Sequence, residues 1–348
     1  MKILYIVPSL DNKAPICLTK ELADYFYDIG NDVSVAYFDD IVKVHFKCKT
    51  IRITMKTVLD FDNYEIIHTH LRRPDLYMAK NHSSLHHACW ISTIHCDIIK
   101  DLGYTYGSFA ANLFGKYWIS KLKKAAVTVQ VSPYMMQLYE KIFEHNILVC
   151  NGVRITKKNN EKYDSIIKVI QSFKQKNYKV LVSYSGIIKR KGIEQVIESL
   201  TIGPDYVYVC IGDGEMKKPL KKMADKLKVT QRIFFFDFIQ FPYNILKEAD
   251  VFIISSYSES FCLALYEAIL MRCPVVCSRI PAFVNVFDDS EVSYFELNNS
   301  KSIIKACERA INNNMQIEAA YEKVINKFSV DNMLCMYKKL YGDLVQNS

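Results

Sequence analysis

Two glutamates, Glu259 and Glu267, stand with seven residues between them in the segment Ser258-Glu-Ser-Phe-Cys-Leu-Ala-Leu-Tyr-Glu-Ala268. The apolar run Ala249–Ser256 leads into this segment, and a shorter one, Cys273–Ser278, follows it. The pattern predicts strand, loop, helix and strand, with Glu259 in the loop at a strand's C-terminal end and Glu267 about two turns into the helix. Open α/β sheets bind ligands at that edge. A helix N-terminus there offers unpaired N–H groups and the positive end of the helix dipole, which suits a phosphate. Two carboxylates flanking a phosphate seat fit a ligand with hydroxyls at both ends of a diphosphate, such as a nucleotide-sugar. A lone glutamate on a helix is an ordinary surface residue, so the surrounding elements must carry this reading.

Those elements alternate along the whole chain, as in parallel α/β proteins. In the first half the apolar runs predict strands at 1–7, 32–38, 64–70, 88–95, 125–132 and 146–150, with a helix from Leu18 to Ile29 ended by Gly30. In the second half they predict strands at 179–185, 205–211, 232–238, 249–256, 273–278 and 292–296. Each set amounts to one Rossmann-like sheet, so two doubly wound domains are expected. Asn151-Gly-Val153 and the polar stretch Arg154–Asp164 mark the junction. The expected layout is an N-terminal domain over 1–153, a linker and first helix over 154–177, a C-terminal domain over 178–327, and a final helix over 328–348, with Ser329 as its N-cap.

Composition sets outer limits. A chain of 348 residues, half of them hydrophobic, suits two domains with full cores. No apolar run reaches the length of a membrane span, and Met1–Val7 reads as a first buried strand rather than a leader. Eleven cysteines, several in predicted core strands (Cys150, Cys210, Cys277), fit reduced thiols and a cytoplasmic setting. The net charge of +8 favours anionic partners, and no nucleic-acid-binding signature accompanies it. His68-x-His70 and His86-His87 lack the further ligands of a metal site. Gly212-Asp-Gly214 lacks the third glycine of a dinucleotide fingerprint and reads as a turn. All eight histidines lie at or before His145, so any imidazole chemistry belongs to the first domain.

In order along the chain stand Ile6-Val-Pro-Ser9, Tyr64-Glu-Ile-Ile-His-Thr-His70, Thr93-Ile-His-Cys-Asp97, Val131-Ser-Pro133 and Asn151-Gly-Val153. Lys191-Gly192, Gly212-Asp-Gly214, Ala249–Ser256 and the glutamate pair follow. This series resembles the retaining GT-B glycosyltransferases of family 4 from end to end. The resemblance implies two Rossmann-like domains facing a cleft, with a C-terminal helix returning to the first. It implies metal-independent transfer of a sugar from a UDP- or GDP-sugar to a hydroxyl of a glycan or lipid-linked acceptor, with no cofactor. The implied setting is bacterial surface polysaccharide assembly, of lipopolysaccharide or capsule. Carried over position by position, Glu259 would lie by the donor sugar and Glu267 would hold the ribose hydroxyls. The backbone N–H groups of Ser260, Phe261, Cys262 and Leu263 would face the diphosphate. Lys191 would neutralise the leaving phosphate, where negative charge builds in the transition state, and His95 would reach the sugar.

Three positions depart from the family pattern. The usual arginine, five residues before Lys191, is Gly186; Lys189 or Arg190 is the candidate substitute. The usual Gly-Phe-Gly after the first glutamate is Ser260-Phe-Cys262. The loop Leu10–Ile16 lacks a Gly-Gly pair. Two alternatives on the same fold therefore stay open: a catalytically silent protein that binds a glycan or a partner, and a nucleotide-sugar epimerase. Finally, residues 104–124 interleave Phe109, Leu113, Phe114, Tyr117 and Trp118 with Lys116, Lys121, Lys123 and Lys124. That pattern fits an interfacial helix on an anionic membrane or an amphipathic helix packed on the sheet.

Overall fold

The computed structural model describes residues 1–155, 162–240 and 242–346. Most of the stretch read as the linker, 156–161, lies outside these residues. The chain forms two compact units: Met1–Gly152 together with the C-terminal helix, and Val153–Ser329.

The first unit holds a parallel sheet of strands β1 (Lys2–Leu10), β2 (Asp32–Val42), β3 (Lys49–Arg52), β4 (Ile66–His70), β5 (Cys89–Ile94), β6 (Val127–Gln130) and β7 (Asn146–Leu148). Their order is β3-β2-β1-β4-β5-β6-β7. Ile3 through Val7 are fully buried, as expected of a central parallel strand covered on both faces. β3 is absent from the sequence-based expectation. It is an edge strand of sequence Lys-Thr-Ile-Arg, largely exposed, so it has no apolar run to announce it. Strand β7 closes at Leu148, which leaves Cys150 just outside the sheet. The first helix starts at Ala14, four residues earlier than expected, with Pro15 in its first turn where a missing N–H costs nothing.

The second unit holds β8 (Lys179–Tyr184), β9 (Tyr206–Ile211), β10 (Ile233–Phe236), β11 (Val251–Ile254), β12 (Val275–Ser278) and β13 (Ser293–Phe295), ordered β10-β9-β8-β11-β12-β13 and all parallel. Tyr208, Cys210, Val251, Ile253 and Val276 of this sheet pack on Val196, Ile197, Ile303 and Cys307 of the covering helices. Each fully buried aliphatic side chain contributes about 1.5–3 kcal/mol. The strand order reverses between β1 and β4 in one unit and between β8 and β11 in the other. Such reversals splay the helices apart and leave a crevice at the strands' C-terminal ends.

The helix Val330–Gln346 begins right after Ser329 and belongs to the first unit. Two tyrosines dock it. The Tyr341 hydroxyl lies 2.6 Å from His68 Nδ1, and the Tyr337 hydroxyl 2.9 Å from Thr93 Oγ1. Among the described residues no helix is long and apolar enough to cross a membrane.

Candidate functional site

The second unit's crevice is built by two loops. After β8, residues Ser185–Ile188 lead to a single 3-10 turn, Lys189–Lys191, and then to the helix Ile193–Ser199. Gly192 makes the bend with φ +59°, and a Cβ there would lie 2.2 Å from the Ser255 carbonyl oxygen. Only glycine permits that approach. The Ser255 hydroxyl donates to the Lys191 carbonyl at 2.9 Å, and Tyr257 N–H donates to the Arg190 carbonyl at 2.9 Å. The basic turn is thereby held against the loop after β11.

That arrangement brings two cations onto one buried carboxylate. Glu259 is 6% exposed. Its Oε1 accepts from Lys191 Nζ at 2.5 Å and from Ser256 Oγ at 2.7 Å, and its Oε2 lies 3.1 Å from Arg190 Nη1. Burial alone would raise its pKa. The charges of Lys191 and Arg190 and the hydrogen bonds outweigh burial and hold it down at about 2. Arg190 also donates to the Ser258 carbonyl at 2.8 Å. Lys189, the other candidate substitute for the missing arginine, turns away to pair with Glu194. Gly186 is exposed, and a Cβ there would meet nothing within 4 Å.

The helix Leu263–Leu270 starts beside this triad. Among the described residues, the backbone N–H groups of Ser260, Phe261, Cys262 and Leu263 have no acceptor. Two cations against one carboxylate, next to a helix N-terminus with open donors, leave this edge electropositive, which suits an anion. Cys262 caps the helix with φ +65°, the left-handed region, so cysteine here holds a conformation that suits glycine. Burial pushes its thiol up to about 12. The Phe261 side chain does not line the crevice: it is buried and stacks on Tyr266, with centroids 4.1 Å apart, in a cluster that includes Phe328. Only its main chain is available to a ligand.

Glu267 is the fifth residue of the helix, not two turns in, because the helix starts only at Leu263. Its Oε2 accepts from the Tyr184 hydroxyl at 2.6 Å and its Oε1 from the Tyr243 hydroxyl at 3.1 Å. Burial raises its pKa, and the two tyrosine hydrogen bonds oppose that shift. Neither tyrosine was singled out from the sequence. Tyr184 ends β8 at the topological reversal, a position that could have drawn notice. Tyr243 is 24 residues from Glu267 and carries no local signal.

In the first unit, His95 follows the end of β5, partly buried. Its Nε2 lies 2.9 Å from His70 Nδ1. The His70 Nε2 is buried with no partner among the described residues. Burial lowers the pKa of all three neighbouring imidazoles: His68 to about 3, His95 to about 4, and His70 well below its ordinary value. His95 is therefore a neutral ring at neutral pH. Of the stretch Leu10–Ile16 only residues 11–13 form a loop between β1 and the first helix, and Asp11 there pairs with Lys43 at 2.9 Å.

The stretch 104–124 is two helices, Ile98–Tyr106 and Ser108–Leu122, broken at Gly107 with φ +80°. Trp118 leaves the aromatic face expected for it. It is 5% exposed and donates from Nε1 to Asp75 Oδ2 at 2.8 Å. Phe109, Leu113, Phe114 and Tyr117 do point to solvent, Phe109 with 86% of its surface free.

Comparison with known proteins agrees with this architecture. Residues 164–327 match the family described as Glycosyl transferases group 1. The chain is 26% identical to the O-antigen biosynthesis glycosyltransferase WclY of Escherichia coli, over 99% of both chains. It superposes on sucrose-phosphate synthase of Thermosynechococcus elongatus with TM-score 0.82, 14% identity and full coverage of both chains. It superposes on Anabaena Alr3699/HepE in complex with UDP-glucose with TM-score 0.81 and 17% identity, covering 99% of this chain and 100% of that one. Two Rossmann-like parallel sheets and the end-to-end superpositions give this chain the GT-B fold, and its residues 164–327 are similar to the glycosyl transferases group 1 family.

Proposed function

We propose that the protein transfers a sugar from a nucleotide diphosphate sugar, with retained anomeric configuration, to a hydroxyl of a glycan or lipid-linked acceptor in surface polysaccharide assembly. One observation carries the reading: Lys191 and Arg190 converge on Glu259 beside the open N-terminus of the helix that bears Glu267. In the reaction a sugar–phosphate bond breaks and negative charge builds on the departing phosphate. Lys191 and Arg190 are fixed where they can meet that charge, and fixed cations stabilise it without reorganising. Lys191 would share itself between Glu259 and the phosphate. Glu259, ionised by its cations, would face the sugar hydroxyls, and Glu267 the ribose. No protein nucleophile is assigned. The departing phosphate would help take the proton from the acceptor hydroxyl on the same face of the sugar, without a metal. His95, a neutral imidazole, is the first-unit candidate for contact with the sugar. The O-antigen enzyme WclY and the UDP-glucose complex of Alr3699/HepE support the acceptor class and the donor class respectively. An acceptor carried on lipid would also give a purpose to the exposed Phe109, Leu113, Phe114 and Tyr117 with the nearby lysines, as a seat on an anionic membrane surface.

The test is calorimetric titration with a panel of UDP-, GDP-, ADP- and CMP-sugars. One donor should bind the protein, and Glu267→Ala should lose that binding. Lys191→Ala should keep most of the binding but cut turnover by about 100-fold or more. The open position at Gly186 favours a second reading, a silent glycan- or partner-binding protein. No response to any donor in the panel would decide for it.

A further inference from the structure

Glu267 is held by donors from two other elements. Tyr184 comes from the end of β8, its ring packed on Phe252 with centroids 4.9 Å apart. Tyr243 comes from the start of the helix Tyr243–Glu248 and is almost fully buried. Neither ring is free to swing, so both hydroxyls are fixed in direction as well as distance. Each takes a different oxygen of the same carboxylate. An ionised carboxylate has about four acceptor sites, two per oxygen. With one site on each oxygen filled, one on each remains, and the plane of the group is set. A vicinal diol presents two hydroxyl donors at that spacing. A freely rotating carboxylate would have to be ordered on binding, at a cost in side-chain entropy.

We propose that Tyr184 and Tyr243 are positioning residues that lock the Glu267 carboxylate in the orientation that accepts both ribose hydroxyls of the donor nucleotide, and so make the site selective for ribonucleotides over 2′-deoxyribonucleotides. This rests on Glu267 being the ribose-holding residue. Each tyrosine keeps its own proton and acts only as a donor; burial and the neighbouring carboxylate both oppose its ionisation. With both hydroxyls gone, the carboxylate would turn, and a diol would meet one aligned oxygen instead of two. A 2′-deoxy nucleotide offers only one of the two hydroxyls, so it has less to lose. The tyrosines should therefore matter to the ribonucleotide and hardly to its deoxy counterpart.

The experiment titrates UDP, dUDP, GDP and dGDP into the wild-type protein, Tyr184→Phe, Tyr243→Phe, the double variant and Glu267→Ala, with thermal unfolding of each measured alongside. Wild type should bind one ribonucleotide about tenfold or more tighter than its deoxy counterpart, the worth of one hydrogen bond to a charged group. Each Phe variant should weaken the ribonucleotide by about three- to tenfold and leave the deoxy nucleotide nearly unchanged, so that the ratio shrinks toward one in the double variant. A merely structural role would weaken both nucleotides alike and leave the ratio where it was; that result overturns the proposal. If Tyr243→Phe does not fold, Tyr184→Phe decides alone. Wild type binding neither UDP nor GDP sinks the reading of this edge as a UDP- or GDP-sugar site. Loss of binding in Glu267→Ala with an unchanged ratio in the Phe variants sinks only the role of the tyrosines.

Discussion

At the scale of single residues, the site combines close charge compensation with one conspicuous gap. Glu259 sits between Lys191 and Arg190, and its depressed pKa of about 2 means that it stays ionised throughout the physiological range. Where relatives of this family carry a further arginine, the chain has Gly186, with open space around it and no left-handed backbone to defend. Arginine there meets no steric obstacle. Gly186→Arg should therefore leave the melting temperature within a degree or two, since exposed substitutions seldom exceed about 0.5 kcal/mol. If the position faces the diphosphate, the same change should tighten nucleoside diphosphate binding by about three- to tenfold, and more so at low salt. Unaltered affinity at low salt would show that Gly186 stands away from the ligand. Cys262 differs in kind. Its left-handed backbone is a strain that glycine would relieve, yet glycine would also forfeit the buried thiol's packing and free the unfolded chain. These terms are each about 1 kcal/mol and largely cancel.

At the scale of elements, the helices Ile98–Tyr106 and Ser108–Leu122 show how one stretch of aromatic residues divides between inside and outside. The break at Gly107 re-aims the second helix. Trp118 then turns inward to Asp75, which also accepts from Thr69 and from Ser92 at 2.8 Å. Among the described residues no cation pairs with Asp75, and a buried carboxylate in that setting needs all three donors. Trp118→Phe should cost about 1–3 kcal/mol, read as a lower denaturant midpoint, because it strips one donor from a buried acceptor. Phe109→Ser removes only exposed surface, so its stability should stay within about 0.5 kcal/mol. It should nevertheless weaken sedimentation with anionic vesicles at low salt. Equal vesicle binding by wild type and Phe109→Ser would take this face out of consideration as a membrane seat.

At the scale of the whole molecule, the first unit carries a histidine pH dependence that the second lacks, because every histidine lies in it. His68, His70 and His95 are neutral when folded, with pKa values lowered by burial. Unfolding restores their ordinary value of about 6.5. Below that pH the unfolded chain binds more protons than the folded one, so stability is fully present above about pH 6.5 and falls as pH drops toward the folded values. Each such histidine contributes a slope of up to about 1.4 kcal/mol per pH unit. Asp75 works in the opposite sense. Its pKa is raised to about 6 by burial, so it gains as pH falls, but it is one group against three. Both tryptophans, Trp90 and Trp118, are buried in this same unit, so selectively excited tryptophan fluorescence reports on it alone. Fluorescence-detected melting should show a steep fall in Tm from about pH 7 to about pH 5. A flat profile would mean that the imidazoles are protonated in the folded state.

The sequence by itself determined the two parallel sheets and every strand but β1, β2 and β3 to within two residues, and it drew attention to Glu259, Glu267 and Lys191. Strands buried on both faces must be written as apolar runs, and loops at their ends by glycine and charge, so that information is local. The edge strand β3 escaped because an exposed edge needs no apolar run. What only the tertiary structure decided is long-range: that Arg190 rather than Lys189 joins Glu259, that Phe261 turns into an aromatic core, that Trp118 serves Asp75, and that Tyr184 and Tyr243 hold Glu267. Each depends on which side chains the crossovers bring within hydrogen-bonding distance. Sequence spacing does not encode that distance when 83 residues separate Tyr184 from its partner and 68 separate Lys191 from Glu259.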